Sequence, residues 1–183
     1  TAPFAFIDHT TTSYYATYIN ADFVSKFSNT DVRNLFVASS TITNPADFRR
    51  YTTRKFKFNF GSDVPLIRTA EMILIDAEAL ARTPGKEAEA HDLLYALQKN
   101  RDANAVKSTN TGAALIDEIL LERRKELYAE NGVEWFDAKR LRKGITRTGN
   151  HRIFKNLSAD DKRFFLKVPQ REIDANESID DSV

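Results

Sequence analysis

Glu71 and Glu78 stand seven residues apart with Leu74 between them, so a helix there carries both carboxylates on one face. Two carboxylates so placed can act as a general acid and base, or as metal ligands. The competing reading is structural. Arg123, Arg124 and Arg140 lie on later helical patterns, and Arg123 shares a face with Ile116, Leu120 and Leu127. A guanidinium on an apolar stripe must reach water or find a carboxylate, because a buried unpaired charge is very costly. The expectation is therefore that an arginine of the third or fourth helix lies within ion-pair distance of Glu71 or Glu78. No catalytic role is assigned to either.

Tyr14, Tyr15 and Tyr18, with Phe4 and Phe6 upstream, hold the other usable chemistry. Aromatic faces suit the C–H faces of sugars, and tyrosine hydroxyls hydrogen-bond to sugar hydroxyls. Tyrosines alternating along a strand can equally be cross-strand packing. The three tyrosines are the candidate ligand-binding residues. His9, His91 and His151 are scattered without an HExxH pattern, so no metal site is expected. No P-loop, GxSxG or GxGxxG is present, so no cofactor is implied and the common hydrolase, kinase and dinucleotide routes have no support. The absence of cysteine removes disulfides, thiolate catalysis and cysteine-based zinc sites.

Lys139, Arg140, Arg142, Lys143, Arg147, Arg152 and Lys155 form a local basic stretch that can meet phosphates or an acidic partner. Such a run is more often a solvated helix end, where cations suit the helix dipole. The formal net charge is only +1 and aromatic interleaving is missing, so nucleic acid is not an expected partner. Hydrophobic content of 42% and charged content of 29% fit one sizeable core over 183 residues. No apolar run approaches the length of a membrane-crossing helix. The chain opens at Thr1-Ala2-Pro3 without Met, which reads as a piece of something longer.

The elements that must position these residues fall into two parts. Residues 1–62 are loop-rich, with Tyr14 to Ile19 β-rich, Asp31 to Val37 a short helix or a turn leading into a strand, and Phe56, Phe58 and Phe60 alternating as a half-buried strand. Residues 63–183 are helical. The first helix starts near Asp63 with Pro65 in its first turn, carries Ile67, Ala70, Leu74, Ala77 and Ala81, and stops at Pro84-Gly85. A second runs from Lys86 to Asn100, and the pair forms a hairpin of tetratricopeptide size. A third spans Gly112 to Glu130, Asn131-Gly132 turns left-handed, and a fourth spans Val133 to Arg142. Residues 145–163 are polar and exposed, Phe164 to Pro169 extended, and Gln170 to Asn176 one helical turn. The fold class is mostly α: tetratricopeptide-like hairpins with irregular loops and a little β.

Four blocks resemble the carboxy-terminal portion of the SusD/RagB family. They are Ile67 to Ala79, similar to R-x-A-E-x-x-L-x-x-A-E-A; the leucine-rich Ala90 to Arg101; Glu122 to Glu130 continuing through Trp135-Phe136-Asp137 and Arg140; and Val168 to Asn176, similar to I-P-x-x-E-x-x-x-N. Glu134 departs from the pattern, standing where the family usually has Arg before the Trp.

The resemblance implies a surface-exposed lipoprotein of the outer membrane whose lipid anchor lies in a preceding segment. It implies a protein that binds oligosaccharide or polysaccharide without catalysis and delivers it to a TonB-dependent outer-membrane transporter. Residues 1–62 are then the candidate ligand-facing part and residues 63–183 the family's carboxy-terminal helical region. The alternative is a helical-repeat module that binds peptide or protein partners. That reading expects buried tyrosines and an apolar helix face left exposed.

Overall fold

Ala70, Leu74, Ala77 and Ala81 recur at three- and four-residue intervals and form the buried stripe of helix α2, Thr69–Ala81. Gly85 takes φ +79 in the turn that follows. Helix α3, Glu87–Arg101, then runs back along α2 with Ala90, Leu94 and Leu97 inward. Helix α4, Gly112–Leu127, closes the layer, and its Leu115 and Ile119 are fully buried against that hairpin. Each fully buried leucine or isoleucine contributes roughly 1.5–3 kcal/mol of transfer free energy. Helix α5, Val133–Arg140, follows a tight turn, and α6, Gln170–Ala175, lies near the end of the chain.

The computed structural model describes residues 17–56, 63, 65–176 and 178. It is mostly helical, as the pattern predicts, and the hairpin of α2 and α3 is in place. The amino-terminal part contributes the short helix α1, Ala21–Val24, and an antiparallel pair, β1 (Phe36–Ala38) and β2 (Tyr51–Thr53), in the register Phe36 to Thr53. The expected strand at Phe56, Phe58 and Phe60 lies outside the described residues beyond Phe56, which is itself buried.

Two boundaries differ from the pattern for a tertiary reason. Helix α2 starts at Thr69, not near Asp63, and Arg68 is extended at φ −129, ψ 146. Asn131 Nδ2 donates to the carbonyls of Pro65 and Leu66 at 2.8 and 3.0 Å, which fixes that approach as extended chain. Helix α4 ends at Leu127, short of Glu130, because Tyr128 turns to ψ 141 and joins a second core of Ile19, Phe23 and Phe27. Its ring meets Phe23 at 5.3 Å and Phe36 at 5.7 Å between centroids. Its hydroxyl shares a 2.9 Å hydrogen bond with Thr53. Ala129, Asn131 and Gly132 then take positive φ in quick succession, and the chain reverses into α5.

Candidate functional site

The carboxylates singled out as acid–base candidates are both ion-paired. Arg123 Nη2 reaches Glu71 at 2.9 Å, and its Nε reaches Asp137 at 2.9 Å. Arg140 and Arg82 each hold Glu78 at 2.7 Å. Arginines of α4 and α5 thus meet both glutamates, as the structural reading requires. Burial pushes the Glu78 carboxyl up, but the hydrogen bonds from Arg140 and Arg82 outweigh it and leave it below the usual carboxylate range. A carboxylate kept ionised and saturated in this way clamps helices; it is a poor proton donor near neutral pH.

A denser cluster surrounds Glu126. Arg33 Nη1, Arg68 Nη1 and Arg101 Nη2 reach its carboxylate at 2.9, 2.8 and 3.0 Å, although the glutamate is almost fully buried. Glu130 takes Lys55 at 2.6 Å and Arg68 at 2.9 Å, and Asp31 takes Arg33 at 2.8 Å and Lys125 at 2.9 Å. Glu122 Oε1 lies 2.6 Å from Arg33 Nη2 and adds a further ion pair to that guanidinium. These pairs tie the loop at 31–33 and Lys55 to α3 and α4, and a pocket of about 560 Å3 opens beside them. With anions and cations interleaved, the cluster is a junction, not a free anion or cation trap.

The exposed chemistry lies elsewhere, where three chain segments are sewn together. Asn150, itself buried, accepts from the Ala21 amide at 2.8 Å and donates to the Asp47 carbonyl at 2.8 Å. Asn20 Nδ2 donates to the Thr148 carbonyl at 2.7 Å. This brings Tyr18 edge-on to Phe48, with centroids 5.7 Å apart and planes at 88°. The Arg152 guanidinium stands 5.3 Å from the centre of the Phe48 ring, within cation–π range. Ile145 and Leu157 exchange two backbone hydrogen bonds of 2.9 Å and close residues 145–157 into a finger. Its Ile153 and Phe154 stand in solvent, 58% and 71% exposed.

Of the three tyrosines proposed from sequence, Tyr14 and Tyr15 lie outside the described residues and Tyr18 stands half-buried at this junction. Phe48 and Arg152 were not singled out as ligand contacts; the only signal was an aromatic within a polar turn and one cation in a basic run. A different surface is apolar. Met72 and Ile75 on α2 are 46% and 47% exposed and Phe136 on α5 is 62% exposed, all turned away from the core. Among the described residues no helix is long and apolar enough to cross a membrane.

Comparison with known proteins matches residues 9–181 to the model of the SusD family. A solved structure, a SusD-like carbohydrate binding protein from Bacteroides vulgatus ATCC 8482, superposes with a TM-score of 0.80 at 23% identity. The match covers 96% of this chain and 44% of that one, so the chain spans less than half the length of its solved relative. At that identity the likeness establishes the fold. No curated protein matches the chain.

Proposed function

Because the chain belongs to the SusD/RagB family, we propose that it is the surface glycan-binding component of an outer-membrane polysaccharide uptake system, binding without catalysis. Oligosaccharide captured here passes to a TonB-dependent transporter, and a lipid anchor on a preceding segment holds the protein at the cell surface. The observation that carries the reading is the aromatic and cationic junction of Tyr18, Phe48 and Arg152, built on loops that buried Asn150 fixes in place. Sugar rings stack on aromatic faces, while hydroxyls take hydrogen bonds from tyrosine and arginine. Residues 1–62 supply the ligand-facing part in this reading, with Tyr14, Tyr15 and Tyr18 as its candidate contacts.

Native affinity electrophoresis against a polysaccharide panel tests this. Retardation of the chain is expected with at least one polysaccharide, and Tyr18→Ala or Phe48→Ala is expected to weaken it roughly five- to tenfold, the scale of one aromatic contact. Unchanged retardation in both variants would move the site away from this junction.

The exposed apolar residues Met72, Ile75 and Phe136 favour a second reading, a surface for a protein or peptide partner. Ile75→Gln and Phe136→Gln are expected to shift stability by no more than about 0.5 kcal/mol, since neither side chain is in the core. On a peptide array they should abolish any binding that belongs to this face. A peptide signal that survives both substitutions would sink the second reading.

A further inference from the structure

We infer that the junction of Tyr18, Phe48 and Arg152 selects an anionic glycan, one bearing uronate or sulfate groups; this rests on the glycan-binding reading above. Residues 145–157 contain Arg147, Arg152 and Lys155 and no Asp or Glu. The neighbouring turn adds Arg49, and the carboxylates brought close among the described residues are Asp47, held by Arg49, Asp22, which lies against Gly149, and Asp161, which feels Lys155 and is held by Arg163. Arg147, Arg152 and Lys155 therefore cluster on a segment that has no carboxylate of its own, in a chain whose net charge is only +1.

Among the described residues exposed Arg124, Arg142 and Arg163 each have a carboxylate, Glu134, Asp160 and Asp161, while Arg54 and Arg171 have none. Arg152 has none among the described residues; its contact is the Phe48 ring. Arg147 spends one N–H on the Lys155 carbonyl and likewise meets no carboxylate. A stacked guanidinium keeps its edge N–H groups free, and that planar fork matches a carboxylate or sulfate bidentately. A uronate pyranose presents an apolar C–H face next to its carboxylate, which matches an aromatic ring beside a free guanidinium. Duplex nucleic acid and anionic membranes share the charge but not the alternation of apolar ring face and single anionic group.

The test is affinity electrophoresis of the chain in polygalacturonate, dextran sulfate, unsulfated dextran and a neutral mannan, at low and at physiological salt, with duplex DNA and anionic vesicles in parallel. One or both anionic polysaccharides should retard the chain at least tenfold more strongly than the neutral ones, and salt should weaken that retention. Arg152→Gln should reduce it roughly tenfold, as expected when a charge-assisted hydrogen bond is lost, and Lys155→Gln should reduce it less. Polygalacturonate and dextran sulfate separate carboxylate from sulfate recognition. Equal retention by neutral polysaccharides with Arg152→Gln indifferent overturns the anionic class and leaves glycan binding standing. Retention by no polysaccharide removes both readings. Binding to DNA or vesicles as strong as to the acidic glycans overturns the proposal in favour of a general polyanion surface.

Discussion

Glu126→Ala is expected to destabilise the fold by about 4 kcal/mol, read as a lower urea midpoint at unchanged slope. The carboxylate is buried and serves Arg33, Arg68 and Arg101 together, so its removal takes from Arg101 its carboxylate partner and from Arg33 and Arg68 one of theirs, at a site mostly closed to water. A domain of this size has only about 5–15 kcal/mol in hand, so a large share would go with one side chain. Glu134→Ala is the contrast. That carboxylate pairs with Arg124 in solvent, 52% exposed, where such pairs contribute roughly 0–1 kcal/mol. Equal losses in the two variants would mean that the Glu126 cluster is solvated.

The same cluster sets the response to acid. Burial pushes the Glu126 carboxyl up, but hydrogen bonds from Arg101 and Arg68 and the charge of Arg33 outweigh it and bring it from 4.5 down to about 2. Because the folded chain binds its proton less readily than the unfolded chain, the carboxylate stabilises the fold above about pH 4.5. That contribution falls away as pH drops through about 2. The shift corresponds to roughly 3 kcal/mol. In Glu126→Ala the stability should therefore fall less steeply between those pH values than in the parent chain, which urea titrations at a series of pH values will read directly.

The helical layer was legible because Leu74, Leu94, Leu115 and Ile119 repeat at helical spacing and nothing in the tertiary structure opposes them. Helix ends were less legible. Pro65 suits a first helical turn, yet the chain stays extended to Arg68, whose guanidinium is drawn to Glu126 and Glu130, 58 and 62 residues away. Local preference of a few tenths of a kcal/mol yields to a buried multidentate ion pair. Helix α1 offered four residues, too few for a period. The demand of Arg123 for a carboxylate could be deduced from its apolar face, and the Glu71 pair met it. The partners of Glu126 could not, since no spacing rule connects positions 33, 68 and 101. Likewise Phe48 comes beside Tyr18 and Arg152 through an asparagine 103 residues from its partner Asp47.

Gly144→Ala should release the finger that carries Arg152, at a cost of roughly 3 kcal/mol to that local structure. Gly144 has φ +67, and a Cβ there would lie 2.3 Å from the Leu157 carbonyl oxygen and 3.0 Å from the Ser158 carbonyl carbon. Those are backbone atoms that cannot swing aside. Left-handed backbone costs alanine about 1–2 kcal/mol, and opening the bridge forfeits two hydrogen bonds worth about 1 kcal/mol each. Gly85 has an equally positive φ of +79 with nothing within 4 Å, so Gly85→Ala should carry only the first penalty, about 1 kcal/mol. Limited proteolysis distinguishes the two. Cleavage within 145–157 should accelerate at least tenfold in Gly144→Ala and stay unchanged in Gly85→Ala, while the core of α2, α3 and α4 keeps its urea midpoint in Gly144→Ala and loses about 1 kcal/mol in Gly85→Ala. If Gly144→Ala cleaves no faster than Gly85→Ala, the bridge between Ile145 and Leu157 does not hold the finger. The closeness of Arg152 to Phe48 then owes nothing to it, and the selectivity argued for that junction loses its structural basis.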